Sequence, residues 1–241
     1  MDPLSSRGAR AAADLLCPER CAACPALVPS GQLFCRTCQA HVAVLRPPEC
    51  TQCGLPLALG SACVSCLSTP NASIRHARAF ASYRGTGEDN PVAKALAAFK
   101  YHGTLRLGRR LAAVMAPRIA DPAISVIIPI PLHPRKLRTR GYNQSAVLAR
   151  HIARQIGRPA ALQLLRRTRD TPSQTALSAR ARVANVTGAF TVGDPYPLLQ
   201  GGIALLVDDV WTSGATARAA AATLLTAGAA AVDVVTLARV L

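Results

Sequence analysis

Residues 203–216 read "IALLVDDVWTSGAT". Five apolar residues, Ile203 to Val207, run into two adjacent carboxylates, Asp208 and Asp209. A run of hydroxyls and small residues follows: Thr212, Ser213, Gly214, Ala215 and Thr216. The continuous apolar run is the pattern of a strand buried on both faces of a parallel sheet. Residues 214–228, "GATARAAAATLLTAG", read as a helix ended by Gly228. The acids therefore fall at the carboxyl end of a strand, and the small-residue turn at a helix N-terminus. There, unpaired backbone N–H groups and the helix dipole favour a phosphate. Gly214 and Ala215 let the backbone come close, and the three hydroxyls add donors. The carboxylates accept hydrogen bonds from neighbouring hydroxyls. A phosphorylated ribose meets both demands at once.

The flanking sequence repeats the alternation. Residues 76–85, 123–131, 161–167, 188–192, 202–209 and 231–240 read as strands, and 90–103, 105–120 and 142–157 as helices. Strand and helix alternating predict an α/β fold with a central parallel sheet, whose site lies at the strand carboxyl ends.

All nine cysteines precede residue 67. Eight form four Cys-x-x-Cys knuckles: Cys21/Cys24, Cys35/Cys38, Cys50/Cys53 and Cys63/Cys66. A tetrahedral zinc needs four ligands, and each knuckle supplies two thiolates from one turn. Four knuckles make one or two all-cysteine Zn2+ sites. Sequential pairing of neighbouring knuckles is the simplest arrangement, and a crossed pairing remains open. Such saturated sites are structural, since a catalytic zinc keeps an open position. Metal stabilises a region of about 70 residues with too few large apolar side chains for much of a core. Disulfides are the rival reading, set aside for a cytoplasmic chain. Cys17 reads as a buried free thiol, and His41, between knuckles, as a surface residue. After "STPNAS" (68–73) the cysteines stop and the charge rises. The expected division is a double zinc ribbon over 1–70 and a second domain over 71–241.

Of the net charge of +16, nearly all belongs to the second part: residues 1–70 hold five Arg against four acids, and 71–241 hold 23 basic residues against eight acids. Only three of the basic residues are Lys, so genomic bias accounts for the choice of Arg but not for the excess over acids. The excess predicts an anionic partner: a phosphorylated small molecule, nucleic acid, or both. No apolar run reaches the roughly 18 residues of a membrane span, and the N-terminus carries no targeting signal, which together predict a cytoplasmic protein.

"VDDVWTSGAT" resembles the 5-phosphoribosyl-1-pyrophosphate (PRPP) motif of type I phosphoribosyltransferases, and no G-x-x-x-x-G-K-[ST] loop supports a competing nucleotide-binding reading. "PIPLHPRKLRTRGYNQS" (129–145), "RRTRDTPSQTALSARARVANVTGAF" (166–190) and the four knuckles are similar to the ComF family of competence-associated phosphoribosyltransferases. That family includes proteins of DNA uptake in transformable bacteria and a relative linked to gluconate use. Trp211 and Cys17 depart from its pattern, at positions without evident chemistry.

The resemblance implies a type I phosphoribosyltransferase fold preceded by a small four-cysteine zinc-ribbon domain. It assigns the 5-phosphate to Thr212, Ser213, Gly214, Ala215 and Thr216. Together with strand geometry it assigns the ribose hydroxyls, and so the catalytic role, to Asp208 and Asp209. Pyrophosphate is expected on the loop after 123–131, against Arg135, Lys136, Arg138 and Arg140, whose guanidinium forks match phosphate oxygens. The plainer alternative is a solvated basic loop. Mg2+ would bridge pyrophosphate and ribose while needing few protein ligands. Residues 166–187, with Arg166, Arg167, Arg169, Arg180 and Arg182, read as a mobile loop able to close over the site. Gln174, Arg182 and Asn185 are family-resembling positions with no derivable role. Lys100 and Tyr101 either face the site or simply end a helix, and His133 is a positioning residue rather than a base. The acceptor hood falls over 76–103 and part of the zinc region.

Three functions compete. One is a Mg-dependent phosphoribosyltransferase with an unidentified acceptor. Another is a single-stranded-DNA-binding competence factor on the same fold, against which stand only four Phe, four Tyr and one Trp for base stacking. The third is a PRPP-sensing regulator. A shared fold does not fix the reaction. If the two parts are independent, zinc loss should unfold 17–66 and leave 71–241 folded.

Overall fold

The structure, a computed structural model, describes residues 18–59, 61–68, 72–83, 90–101, 105–169 and 188–241. Cys17, Gln174, Arg180, Arg182 and Asn185 lie outside the described residues. The predicted α/β architecture is present. A four-stranded, all-parallel sheet runs in the order β3 (His76–Ser82), β8 (Ala231–Arg239), β7 (Ile203–Trp211), β4 (Val126–Pro129). β7 and β8 are buried along most of their length, as their Ala-, Val- and Leu-rich sequences require. β4 is shorter than the apolar run 123–131, with the Ser125 and Ile130 N–H groups just outside it still donating to the Ile203 and Val207 carbonyls of β7, both at 2.9 Å.

Helices cover both faces. On one lie α3 (Pro91–Tyr101), α4 (Leu107–Met115) and α6 (Gln144–Ile156), whose Phe99, Leu111 and Ile152 share a cluster with Ile127, Leu205 and Val207 of the sheet. On the other lies α7 (Ala215–Thr226), whose Ala217, Ala220, Ala221 and Leu224 meet Val126, Ala204 and Leu206. A two-stranded antiparallel ribbon, β5 (Leu165–Arg167) with β6 (Phe190–Val192), packs beside α7. Arg166 and Arg167 thus belong to a paired strand, and not to the loop expected from 166 onward.

The cysteine region carries two short strands, β1 (Glu19–Arg20) and β2 (Leu27–Val28), and two single-turn helices, α1 (Arg36–Ala40) and α2 (Val64–Ser68). Its knuckles pair sequentially, Cys21/Cys24 with Cys35/Cys38 and Cys50/Cys53 with Cys63/Cys66. In each set the Sγ atoms lie within 4.8 Å of one another. Sγ–Sγ separations are 3.7 Å for Cys24–Cys35, 3.7 Å for Cys50–Cys66 and 3.5 Å for Cys53–Cys63. A tetrahedron with Zn–S near 2.3 Å has edges of about 3.8 Å, so both sets fit zinc. Backbone N–H groups point at the sulfurs: Ala23 and Cys35 donate to Cys21, and Cys53 to Cys50. Burial works against the Cys21 thiolate, yet these donors bring its pKa down to about 7.

The cysteine region also finishes the sheet. The Leu45 N–H donates to the Phe80 carbonyl at 2.9 Å, the Ser82 N–H donates to the Ala43 carbonyl at 2.8 Å, and Val44 bridges Ala81 antiparallel. Residues 43–45 therefore cover the β3 edge, which would otherwise offer unpaired backbone groups to another chain. Arg110 of α4 reaches back to the carbonyls of Arg20 and Gln32, both at 2.8 Å. Arg118 holds Glu49 through a 2.5 Å ion pair.

Candidate active site

The site is built at the carboxyl end of β7. Asp208 is half-buried and Asp209 buried. Two helix ends converge on them. The first is the C-terminus of α3, from which Lys100 Nζ reaches Asp209 Oδ2 at 2.7 Å. The second is the N-terminus of α6. Asn143 caps it, accepting from the Ser145 N–H at 3.0 Å and donating to the Ile130 carbonyl at 3.1 Å, which fixes the helix start beside the end of β4. The next two side chains then reach the acids: Gln144 Nε2 donates to Asp209 at 3.1 Å, and Ser145 Oγ to Asp208 at 3.0 Å. Phe99, fully buried, meets Tyr142 edge-on with ring centres 6.0 Å apart, locking the two helix ends together.

The carboxylates differ in charge. Burial, then the neighbouring charge of Asp209, pushes Asp208 up to about 7. Burial would raise Asp209 too, but Lys100 overrides it and holds that carboxyl below its ordinary value. Lys100 in turn stays charged despite burial, because Asp209 and Asp208 face it. Two adjacent acids have become one firm anion and one group that titrates near neutrality.

Residues 212–214 bend directly into α7. Gly214 caps the helix with φ +73°, a left-handed conformation, and a Cβ there would stand 2.4 Å from Trp211 Cζ2. Only glycine fits both the turn and the approach. Ser213 Oγ accepts from the Ala215 N–H at 3.4 Å, and Arg218 donates to the Ser213 carbonyl at 2.7 Å. Thr212 is exposed, Ser213 and Thr216 are half-buried, and Gly214 and Ala215 are buried.

The basic stretch after β4 is not a loop but a seven-residue helix, α5 (Pro134–Arg140). Pro134 starts it, His133 caps it by accepting from the Arg135 N–H at 3.3 Å, and Gly141 ends it. Its local signals, Pro at the first position and Gly past the end, were in the sequence. Arg135 and Arg138 are exposed, while Lys136 is half-buried. Arg140, half-buried, lies 5.4 Å from the centre of the Tyr101 ring, and its charge acts on both Asp209 and Lys100. Arg140 is thus tied to the acid pair. Arg169 is exposed at the end of the described β5 segment.

Sequence reasoning left three contributors without a role. Gln144 and Ser145 stood inside the quoted "YNQS", a polar triplet at a helix start, which is the signal that could have found them. Lys100 was undecided between site and helix end, and the ion pair with Asp209 brings it to the site.

Comparison with known proteins gives matches to two domain models: a double zinc ribbon domain over residues 12–67 and a phosphoribosyl transferase domain over 143–241. The DNA utilization protein YhgH of Salmonella typhimurium is 32% identical over 216 residues, spanning 86% of this chain and 91% of that protein. The protein of the same name from Escherichia coli K12 is 40% identical over 115 residues, 48% of this chain and 49% of that one. Competence protein F of Haemophilus influenzae is 29% identical over 136 residues, 52% of this chain and 58% of that one. The solved structure of TT1426 from Thermus thermophilus, at 16% identity over 55% of this chain and 83% of that one, has a TM-score of 0.33, a likeness too distant to bear on the fold. With a double zinc ribbon leading into a phosphoribosyltransferase domain, and near-complete coverage of one such relative, the chain belongs to the ComF family.

Proposed function

We propose that the protein is a phosphoribosyltransferase that binds PRPP with Mg2+ and serves the uptake or use of DNA. The observation that carries this reading is the pairing, at the end of β7 and its exit, of Asp208 and Asp209 with a glycine-capped helix N-terminus. Thr212, Ser213, Gly214, Ala215 and Thr216 hold the 5-phosphate. Asp208 and Asp209 accept hydrogen bonds from the ribose hydroxyls, Ser145 and Gln144 fixing the carboxylates in place. Lys100 and Arg140 supply positive charge beside the pyrophosphate, with Arg135, Lys136 and Arg138 further out on α5. The acid pair is also a donor set that suits a hydrated Mg2+, and that ion supplies charge neutralisation for the leaving group when bound.

In the reaction the bond from ribose C1 to the pyrophosphate oxygen breaks, and pyrophosphate leaves with the electron pair. The acceptor's lone pair forms the new bond to C1, and its proton passes to water. Fixed charges around the developing oxocarbenium and the departing anion lower the barrier. Arg169, Gln174, Arg182 and Asn185 remain candidates for closing over the site.

Calorimetric titration of Mg-PRPP into the zinc-loaded protein tests this. Wild type should bind and the Asp208→Asn/Asp209→Asn double variant should not. Binding by neither would sink the reading. A second reading is favoured by the 23 basic residues of 71–241 and by relatives named for DNA utilization and competence. On it the same fold binds single-stranded DNA without turnover, with a steep salt dependence that survives loss of the acids.

A further inference from the structure

Trp211 ends β7, and its register partner is Arg239 at the end of β8. Arg239 is 5% exposed, an unusual burial for a guanidinium. Its NH1 donates to the carbonyl of Cys53, one of the four cysteines of the second zinc set. Its guanidinium carbon lies 5.7 Å from the centre of the Trp211 ring, and the Val240 N–H donates to the Trp211 carbonyl at 2.8 Å. Nε of Arg239 has no partner among the described residues, and the Cys53 carbonyl and the Trp211 face help to hold the side chain. An all-thiolate zinc centre is an anion, and this buried cation stands beside it. Trp211 also meets the backbone of Gly214, where a Cβ would stand 2.4 Å from the ring. Arg218 closes the turn from outside through the Ser213 carbonyl.

We propose that Arg239 and Trp211 couple the second zinc centre to the 212–216 turn, so that zinc on Cys50, Cys53, Cys63 and Cys66 and a phosphate on the turn stabilise each other. The route is one of direct packing: Cys53, Arg239, Trp211, Gly214. Its members are buried and close-packed, so a shift at one end is passed on rather than absorbed. Zinc fixes the Cys53 knuckle, and the Cys53 carbonyl orients Arg239. The guanidinium then seats the indole that props the turn. Linkage makes the effect reciprocal: a ligand that orders the turn must slow zinc loss from this centre. The first centre packs on the helical face instead, with Cys21 in the cluster of Phe99 and Leu111, and Arg110 reaching back to the neighbouring Arg20 and Gln32 carbonyls. The phosphate half of the proposal rests on the reading of the 212–216 turn given above.

The test follows zinc release to a colorimetric chelator and the emission of Trp211, the chain's single tryptophan, on the same full-length zinc-loaded sample. Cys24→Ser and Cys66→Ser assign the two release phases to their centres. Trp211 emission is expected to move with the Cys50/Cys53/Cys63/Cys66 phase alone. Mg-PRPP should slow that phase at least three-fold and leave the other unchanged. Arg239→Lys, with both zincs bound by metal analysis, should weaken Mg-PRPP binding about ten-fold and remove the link between zinc and emission. Emission that ignores the second-centre phase, or follows both phases equally, overturns the proposal. If circular dichroism shows unfolding as zinc leaves, the Arg239→Lys arm decides, and unchanged binding there overturns it. If wild type fails to bind Mg-PRPP at all, the function reading has failed, and the emission arm still judges the coupling.

Discussion

At the scale of single residues, the site turns on how Lys100 divides two neighbouring acids. Two adjacent carboxylates out of full contact with water cannot both ionise cheaply, and an ammonium at 2.7 Å decides which one does. Asp208 is left with a pKa of about 7, above the 3.8 of an ordinary aspartate. The folded state therefore holds this proton more tightly than the unfolded chain does. The stability it contributes is fully present below about pH 4 and is lost as pH rises through about 7. Asp208→Asn removes the titration. Relative to wild type, the variant should gain about 1–2 kcal/mol at about pH 8, a discounted figure for a half-buried group, and nothing near pH 4. Urea unfolding of both proteins across that range measures the difference, and a gap independent of pH would refute the assignment.

At the scale of elements, the second zinc set sits on the sheet by close backbone approach. Gly54, just past Cys53, has φ +70°, and a Cβ there would meet the Ala77 carbonyl oxygen at 2.3 Å. Nearby, the Ala77 N–H donates to the Gln52 carbonyl at 2.6 Å, and Arg78 donates to the Cys50 carbonyl at 3.2 Å. Gly54→Ala adds left-handed strain to a clash with backbone that cannot swing away. A loss of about 2 kcal/mol or more is expected, with weaker zinc retention at the second centre than at the first. Thermal melting and zinc analysis of the variant check both. A variant as stable as wild type would show that the ribbon does not depend on this seat.

At the scale of the whole molecule, the apolar cluster that contains Phe99, Leu111 and Ile152 also contains Cys21, Val28, Leu33 and Phe34. Edge pairing at 43–45, the Arg110 contacts and the Arg118–Glu49 pair add polar links across the same boundary. Independence of residues 17–66 from 71–241 was the expectation from composition, and contacts of this density predict cooperation instead. A chelator should lower the melting temperature of the entire chain in a single transition, with sheet and cysteine region lost together. Two separated transitions by circular dichroism would return the molecule to the two-part picture. Among the described residues no helix is long and apolar enough to cross a membrane.

The α/β alternation, the four knuckles and the acid pair at a strand end were legible in the sequence, because each is written in local spacing, while the pairing of the knuckles came from the structure. Apolar runs set strands, Gly and Pro set helix ends, and Cys-x-x-Cys sets half a metal site. The α5 helix was local too, but its dense charge masked its capping signals. What the tertiary structure alone decided is everything that joins distant segments. Lys100 and Asp209 are 109 positions apart, and Arg239 and Cys53 are 186 apart. No periodicity encodes such meetings. They arise because α3 ends and α6 begins over β7, and because the cysteine region completes the edge at β3. The residues of the site were therefore partly readable as types, while their partners, and so their charges, depended on packing.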